Sequence, residues 1–407
     1  MRSSKRSIVM RSAAMRRVVG ASVAALLSSA LAVSAAFAED FHGFDPDKPT
    51  GAMLSAQQLG DMVKDAAQVS KPRNGQSFVI GFANLQRDIA FCVKVEQGLL
   101  ANAKAAGIEL QVADNRLDGA TALANAESFL QRNVDYVVEF QTDANFGATI
   151  MQKMNDADTK VTAIDIPMPG ATFFGANNPR SGFMGGSYLA QAAIAKFGLD
   201  KVKTGYLVIG ELPQSGAIPA MRTGGQVAGF LASVDGFPVG QVVKIDSKNT
   251  LEESFTQMNN VLGRIPAGVP IMVTAINDQS ATGMLRAVKQ AGREADLLVV
   301  GMGADEVQTL VDEPAFIASV GYFPERYGNY IVPLALMQLA GKKTPDTVLV
   351  SHVMVTKANV CQYYKDQKCG TDAGFTYTFP QDKFDAHLAE LRKSPDLKGF
   401  EGLIPSN

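Results

Sequence analysis

From Ser77 onward, short β-branched runs alternate with helical stretches, and this alternation limits the fold more than any single motif. The runs Phe78–Phe82, Glu109–Ala113, Tyr136–Phe140 and Val161–Ile164 are separated by helical stretches at Phe91–Ala106, Ala120–Arg132 and Gly147–Ala157. Crossovers of that length join parallel strands, with helices covering both faces of the sheet. The helices carry local signals: Asp118 is placed to cap one whose Leu123, Ala126 and Leu130 share a face, and Gly107 ends the one before it. The pattern then restarts. Helices at Ser181–Lys196, Arg222–Ser233, Leu251–Arg264 and Ser280–Ala291 alternate with strands at Gly205–Ile209, Gln241–Ile245, Pro270–Ala275 and Leu297–Gly301. A helix at Asp305–Asp312, a strand at Ala315–Val320, a helix at Tyr327–Ala340 and a strand at Thr347–Val355 follow. Two tandem series of this kind predict an α/β protein of two doubly wound parallel-sheet lobes.

Ahead of this core, residues 1–38 read as an export signal. Arg2, Lys5, Arg6, Arg11, Arg16 and Arg17 form a basic start, Val18–Val33 is small and apolar, and Ala36-Phe37-Ala38 has the small-residue form of a cleavage site. Its removal takes Lys+Arg from 38 to 32 against 40 Asp+Glu, so the formal charge moves from −2 to −8. So acidic a surface repels nucleic acid and anionic lipid. Residues 39–76 read as an N-terminal extension with one short helix, for which Ser55 and Gln58 make a capping box.

Open parallel sheets bind ligands beyond the carboxyl ends of their strands. Those positions hold Asn84, Gln86, Arg87 and Asp88; Gln141 and Asp143; Asp165; Glu211 and Gln214; Asn277 and Asp278; and Asp305. Such side chains donate and accept in pairs, as adjacent hydroxyls require, although exposed loops after strands are polar in any case. Chemistry of other kinds finds no support. No Gly-rich phosphate loop follows a strand, no G-x-S-x-G elbow occurs, and Gly185-Gly186 lies within a helical stretch. His42, His352 and His387 stand apart from any metal-spaced partner, so neither a metal nor a cofactor is expected. Cys361 and Cys369 fit a local disulfide better than a metal site, which leaves Cys92 as a buried, unreactive thiol.

At these strand ends the chain resembles the periplasmic sugar-binding proteins of the ribose, xylose and galactose type, the type I periplasmic binding proteins that serve ABC importers. The likeness runs from Ser77 to Val355 in the family's order. Phe78-Val79-Ile80-Gly81-Phe82 resembles the first strand, and Phe91 falls where the family stacks a ring on the sugar. Ala163-Ile164-Asp165 resembles the strand end whose aspartate accepts from hydroxyls. Ala275-Ile276-Asn277-Asp278-Gln279-Ser280-Ala281 resembles the N-D-x-x-A element whose Asn binds ligand. Tyr322-Phe323-Pro324-Glu325-Arg326-Tyr327-Gly328 resembles the last hinge crossing, with Tyr322 where the family often has Gln. Arg222 best matches the second lobe's sugar-binding Arg, with Gln226 as its competitor. Ile166, Cys92 and Gly303 stand where the ribose type has Arg, a second ring and an aspartate, and Asp305 lies two residues beyond Gly303.

The resemblance implies two lobes joined by a three-strand hinge: residues 77–177 plus 324–346, and residues 179–321 plus 350–407 with a C-terminal extension. It further implies a monomeric receptor in the periplasm, not an enzyme. That receptor would bind a neutral sugar or polyol other than ribose through Phe91, Asp165, Arg222, Asn277, Asp305 and Tyr322. Its partners would be an inner-membrane ABC permease and, in some settings, a chemoreceptor. An exported sensor domain or an exported enzyme on the same scaffold are the alternatives. A lactose-repressor type regulator shares the core but needs a helix-turn-helix, which the residues before Ser77 do not provide.

Overall fold

Strand and helix alternate through two six-stranded sheets in the computed structural model, which describes residues 51–350, 352–371 and 374–405. The export signal and the start of the extension lie outside these residues. The first sheet contains β1 (Val79–Asn84), β2 (Glu109–Asp114), β3 (Tyr136–Phe140), β4 (Lys160–Ile164), β5 (Thr172–Ala176) and β11 (Thr347–Val350), ordered β11-β5-β4-β3-β1-β2 and parallel throughout. The second contains β6 (Tyr206–Glu211), β7 (Val242–Asp246), β8 (Ile271–Ala275), β9 (Leu297–Gly303), β10 (Phe316–Gly321) and β12 (Val353–Thr356), ordered β12-β10-β9-β8-β6-β7. Only β12 runs antiparallel, against β10.

Around the first sheet lie α1 (Ala56–Val69), α2 (Ala90–Ala106), α3 (Gly119–Gln131) and α4 (Gly147–Asp156). Around the second lie α5 (Asn178–Phe197), the short α6 (Leu199–Val202), α7 (Ala217–Ser233), α8 (Leu251–Leu262), α9 (Asp278–Gln290) and α10 (Val307–Asp312). The chain returns to the first lobe through α11 (Gly328–Leu339) and ends beyond the short α12 (Val360–Tyr363) with α13 (Gln381–Leu391). No helix among the described residues is long and apolar enough to cross a membrane.

Local chemistry sets several of these boundaries. Ser55 and Gln58 close a reciprocal capping box on α1, which lies across α2 and α11. Asp118 accepts from Thr121 N–H at 2.7 Å to start α3, and Gly107 ends α2 at φ 70°. Cys361 and Cys369 are joined in a disulfide, and Cys92 is free and buried.

Three departures from the sequence reading matter. Strand β5 lies in a stretch with no strand assigned, because Phe173 and Phe174 are its only large apolar residues and a Gly follows them. The run Thr347–Val355 is two strands, β11 and β12, and they belong to different sheets. Val350 therefore belongs with the first lobe and not with the second, since it pairs with Ala176. The C-terminal extension also departs from a simple second-lobe assignment. Phe384, Leu388, Leu397, Leu403 and Ile404 pack against Phe183, Ile218 and Met221 of α5 and α7, and equally against Phe173 and Leu349 of the first sheet.

The α5–α7 contact fixes the second lobe's side of the cleft. Gly182 and Gly186 on α5 and Gly225 and Gly229 on α7 let the backbones approach so closely that a methyl group on Gly182 would overlap the carbonyl of Arg222. Gly182→Ala is expected to lower stability by about 1–3 kcal/mol through overpacking, and to weaken ligand binding because the residue pushed outward is Arg222. Urea unfolding and calorimetric titration of the same variant check both parts.

Candidate functional site

The strand ends of both sheets face a partly open cavity of about 60 Å³. Its wall includes Phe91, Asp165, Arg222, Asn277 and Tyr322, five of the six residues singled out from the sequence. Phe91, Asp165, Asn277 and Tyr322 stand at the end of a strand or the start of a helix, and Arg222 stands in the second turn of α7.

Asp165 follows β4 in the left-handed region at φ 58°, a conformation that Asp tolerates better than most residues. Its N–H donates to Phe174 O at 3.0 Å, and its Oδ1 accepts from Ala176 N at 3.1 Å, so it is locked against β5 where the chain leaves the first lobe. Burial raises its carboxyl above the ordinary range, while the nearby Arg222 charge and the Ala176 N–H pull it back.

Arg222 is fixed from three sides. Its Nε donates to Asn178 Oδ1 at 2.9 Å, Nη1 donates to Ile276 O at 2.8 Å, and the guanidinium lies 5.1 Å from the centre of the Tyr322 ring. It thereby ties the first crossing between the lobes to the end of β8. Gln226, the competing candidate, lies one turn deeper in α7, where its Nε2 donates to Ala275 O at 2.7 Å, and it is not on the wall.

Asn277 caps α9 by accepting from Ser280 N at 2.8 Å and donates to Asn249 Oδ1 at 2.7 Å. Asn249 in turn donates to Gln86 of the first lobe at 2.9 Å, so a chain of amides crosses the cleft. Asn249 also lines the cavity, and the sequence reading missed it. The signal was available: it lies three residues beyond β7, and the strand-end rule was not applied to that strand. Lys94 Nζ to Asp305 O, 2.8 Å, and Gln214 Nε2 to Leu117 O, 3.4 Å, join the lobes as well.

Phe91 presents a ring edge-to-face with Phe140, Tyr322 and Tyr327, at centroid separations of 5.8 to 6.4 Å. Tyr322 also meets His352, whose imidazole is buried between β11 and β12. Burial first, then the charges of Arg180 and Arg222, push that imidazole down to about 3 and keep it neutral.

Asp305 is the exception. The turn through Gly303, at φ 123°, and Ala304, at φ 52°, puts its carboxylate beside Gly303 and off the wall, with Oδ1 buried and unpaired among the described residues. Burial and the neighbouring Asp278 push it well above the usual carboxylate range.

Another buried acid adjoins the site. Glu139, one residue before Phe140 on β3, accepts from Asn115 Nδ2 at 2.8 Å, and burial pushes it up to about 8 against that bond. Its folded-state pKa exceeds the unfolded value, so its contribution to stability is full below about pH 4.5 and is lost as pH rises towards 8. Glu139→Gln is therefore expected to gain stability relative to the parent between pH 5 and pH 8.5. Urea unfolding at the two ends of that range measures the difference.

Comparison with known proteins places this geometry. The family model described as "Periplasmic binding protein domain" matches residues 80–343. The ribose import binding protein of Bacillus subtilis (strain 168) is 25% identical over 288 residues, covering 69% of this chain and 88% of that protein. Among solved structures, an ABC transporter periplasmic solute binding protein from Actinobacillus succinogenes 130z with bound D-allose superposes with TM-score 0.61 at 19% identity, covering 70% of this chain and 100% of that one. An ABC transporter solute binding protein from Bacillus halodurans C-125 with bound myo-inositol gives TM-score 0.59 at 22% identity, covering 71% and 98%.

Proposed function

Because the chain belongs to the periplasmic binding protein domain family, we propose that it is the periplasmic receptor of an ABC importer, taking one small neutral sugar or polyol between its lobes. The observation that carries this reading is the cavity at the strand ends of both sheets, whose wall holds Asp165 of the first lobe and Arg222 of the second within electrostatic reach of each other. Hydroxyls accept from the Arg222 guanidinium and donate to the Asp165 carboxylate, and the Phe91 ring covers apolar C–H groups. Asn277 holds Asn249 in position and retains one amide hydrogen for the ligand.

The chain passes between the sheets after β5, after β10 and between β11 and β12. Three crossings form a hinge. A ligand that contacts both lobes stabilises the closed arrangement, because only that arrangement makes both sets of contacts. An inner-membrane permease then reads the closed form as loaded. The family and the relatives are binding proteins, in keeping with recognition without turnover.

A thermal-shift screen of the purified protein against pentoses, hexoses, inositols and linear polyols tests the proposal. A ligand present at 100 times its dissociation constant adds about 2.7 kcal/mol and a clear upward shift. The same compound must be recovered unchanged after long incubation. Conversion to product, or no shift from any polyhydroxylated compound, overturns the reading.

A further inference from the structure

The cavity wall carries a few oxygen-recognising side chains and is otherwise mostly hydrocarbon. Leu85, Ile89, Phe140, Ile166, Leu212 and Ile276 all contribute to its wall. Most polar side chains around it are already spent on the protein. Gln141 Oε1 accepts from Thr142 N at 2.6 Å, Asn249 is held between Gln86 and Asn277, and Ser215 Oγ donates to Leu212 O at 2.7 Å. Asn84, at the end of β1, donates to Cys92 O and Glu96 and takes no part in the wall.

Three wall groups keep hydrogen-bonding capacity for a ligand: Oδ2 of Asp165, Nη2 of Arg222 and the second amide hydrogen of Asn277. Asp165 and Arg222 act on each other electrostatically, and the Arg222 guanidinium lies against the Tyr322 ring. The space itself is small, about 60 Å³.

Resting on the receptor reading above, we infer that the ligand is a partly deoxygenated polyol: a deoxy sugar or deoxy polyol whose oxygens meet Asp165, Arg222 and Asn277 and whose methyl or methylene carbons face the aliphatic wall. A fully hydroxylated sugar of the same shape would turn hydroxyls towards Leu85, Ile89, Ile166 and Leu212, side chains that neither donate nor accept. Unpaired hydroxyls buried in this way are penalised by their lost hydration. An apolar pocket rejects an isostere with one added hydroxyl by about 100-fold.

Calorimetric titration with matched pairs that differ only by hydroxyl against hydrogen reads this preference directly: L-fucose with L-galactose, D-fucose with D-galactose, L-rhamnose with L-mannose, and 1-deoxy with parent tetritols and pentitols. At least one deoxy member is expected to bind ten-fold or more tightly than its hydroxylated twin. In Ile166→Thr, which replaces the ethyl branch of the wall residue with a hydroxyl, that ratio is expected to shrink. Its thermal midpoint, recorded alongside, shows that the variant is folded. Hydroxylated members binding as tightly as their twins, or more tightly, overturn the inference and leave the receptor reading standing. No binding by any member of any pair overturns the inference, and the receptor reading then stands or falls on the wider screen described above.

Discussion

Arg222→Ala is expected to weaken binding of the cognate sugar or polyol by roughly 100-fold or more, the largest effect of any single change at the cleft. Truncating a buried arginine anchor of a binding site costs about 2–4 kcal/mol, and each 1.4 kcal/mol is a factor of ten in affinity. The loss has three sources in this structure. The guanidinium no longer meets the ligand; Asn178 and the carbonyl of Ile276 lose the donors that hold the crossing against β8; and Asp165 loses the cation that offsets its burial. Deprived of that cation, Asp165 is pushed further in the direction burial already takes it, towards its protonated form. Arg222→Lys restores charge but not the fork that reaches Asn178 and Ile276 together, so it is expected to recover only part of the affinity. Calorimetric titration of both variants, with their thermal midpoints, separates lost recognition from lost folding. A folded Arg222→Ala protein that binds within ten-fold of the parent would refute the central role given to this side chain.

Arg222 also shows what sequence reasoning could and could not reach. It was nominated through the resemblance to the sugar-binding family, whereas strand ends already pointed to Asp165 and Asn277. The parallel architecture was legible for a related reason, since β-branched runs separated by crossover-length helices admit few alternatives. What stayed hidden depends on partners distant in sequence. Thr347–Val355 is one apolar run, and only pairing with β5 at one end and β10 at the other shows it to be two strands in different sheets.

The polar residues after the strands were counted as a ligand-facing set, yet most serve the protein. Asn84 holds α2, Gln86 and Asp88 hold each other, Asp143 caps the turn after β3, and Asp278 accepts from Ser319 Oγ at 2.6 Å and from the N–H groups of Asp305 and Glu306. Asp305 itself is turned off the wall by the positive φ angles of Gly303 and Ala304. Residue type announces hydrogen-bonding capacity, and only the fold reveals which partner uses it.

The C-terminal extension had no functional account from sequence, and its packing now predicts a second large effect. Phe384 is fully buried among Phe183, Phe379 and His387, with Arg180 stacked over the Phe379 and Phe384 rings. Phe384→Ala is therefore expected to cost about 3–5 kcal/mol, visible as a fall of roughly 5–10 °C in thermal midpoint. The same cluster continues through Leu397, Leu403 and Ile404 to Phe173 on β5 and Leu349 on β11, so its contacts lie on both lobes in the closed arrangement. An element that packs on both lobes in one arrangement favours that arrangement, and its removal shifts the population towards the open form. Ligand affinity then falls by the fraction of closed molecules lost, even though no residue of the cavity has changed. Ending the chain after Thr378 tests this against the simpler idea that the extension only covers α5 and α7. If the extension serves both lobes, the truncated protein binds more weakly and its ligand-free form scatters as a more open particle. If it serves the second lobe alone, the midpoint drops while the dissociation constant and the scattering profile stay where they were.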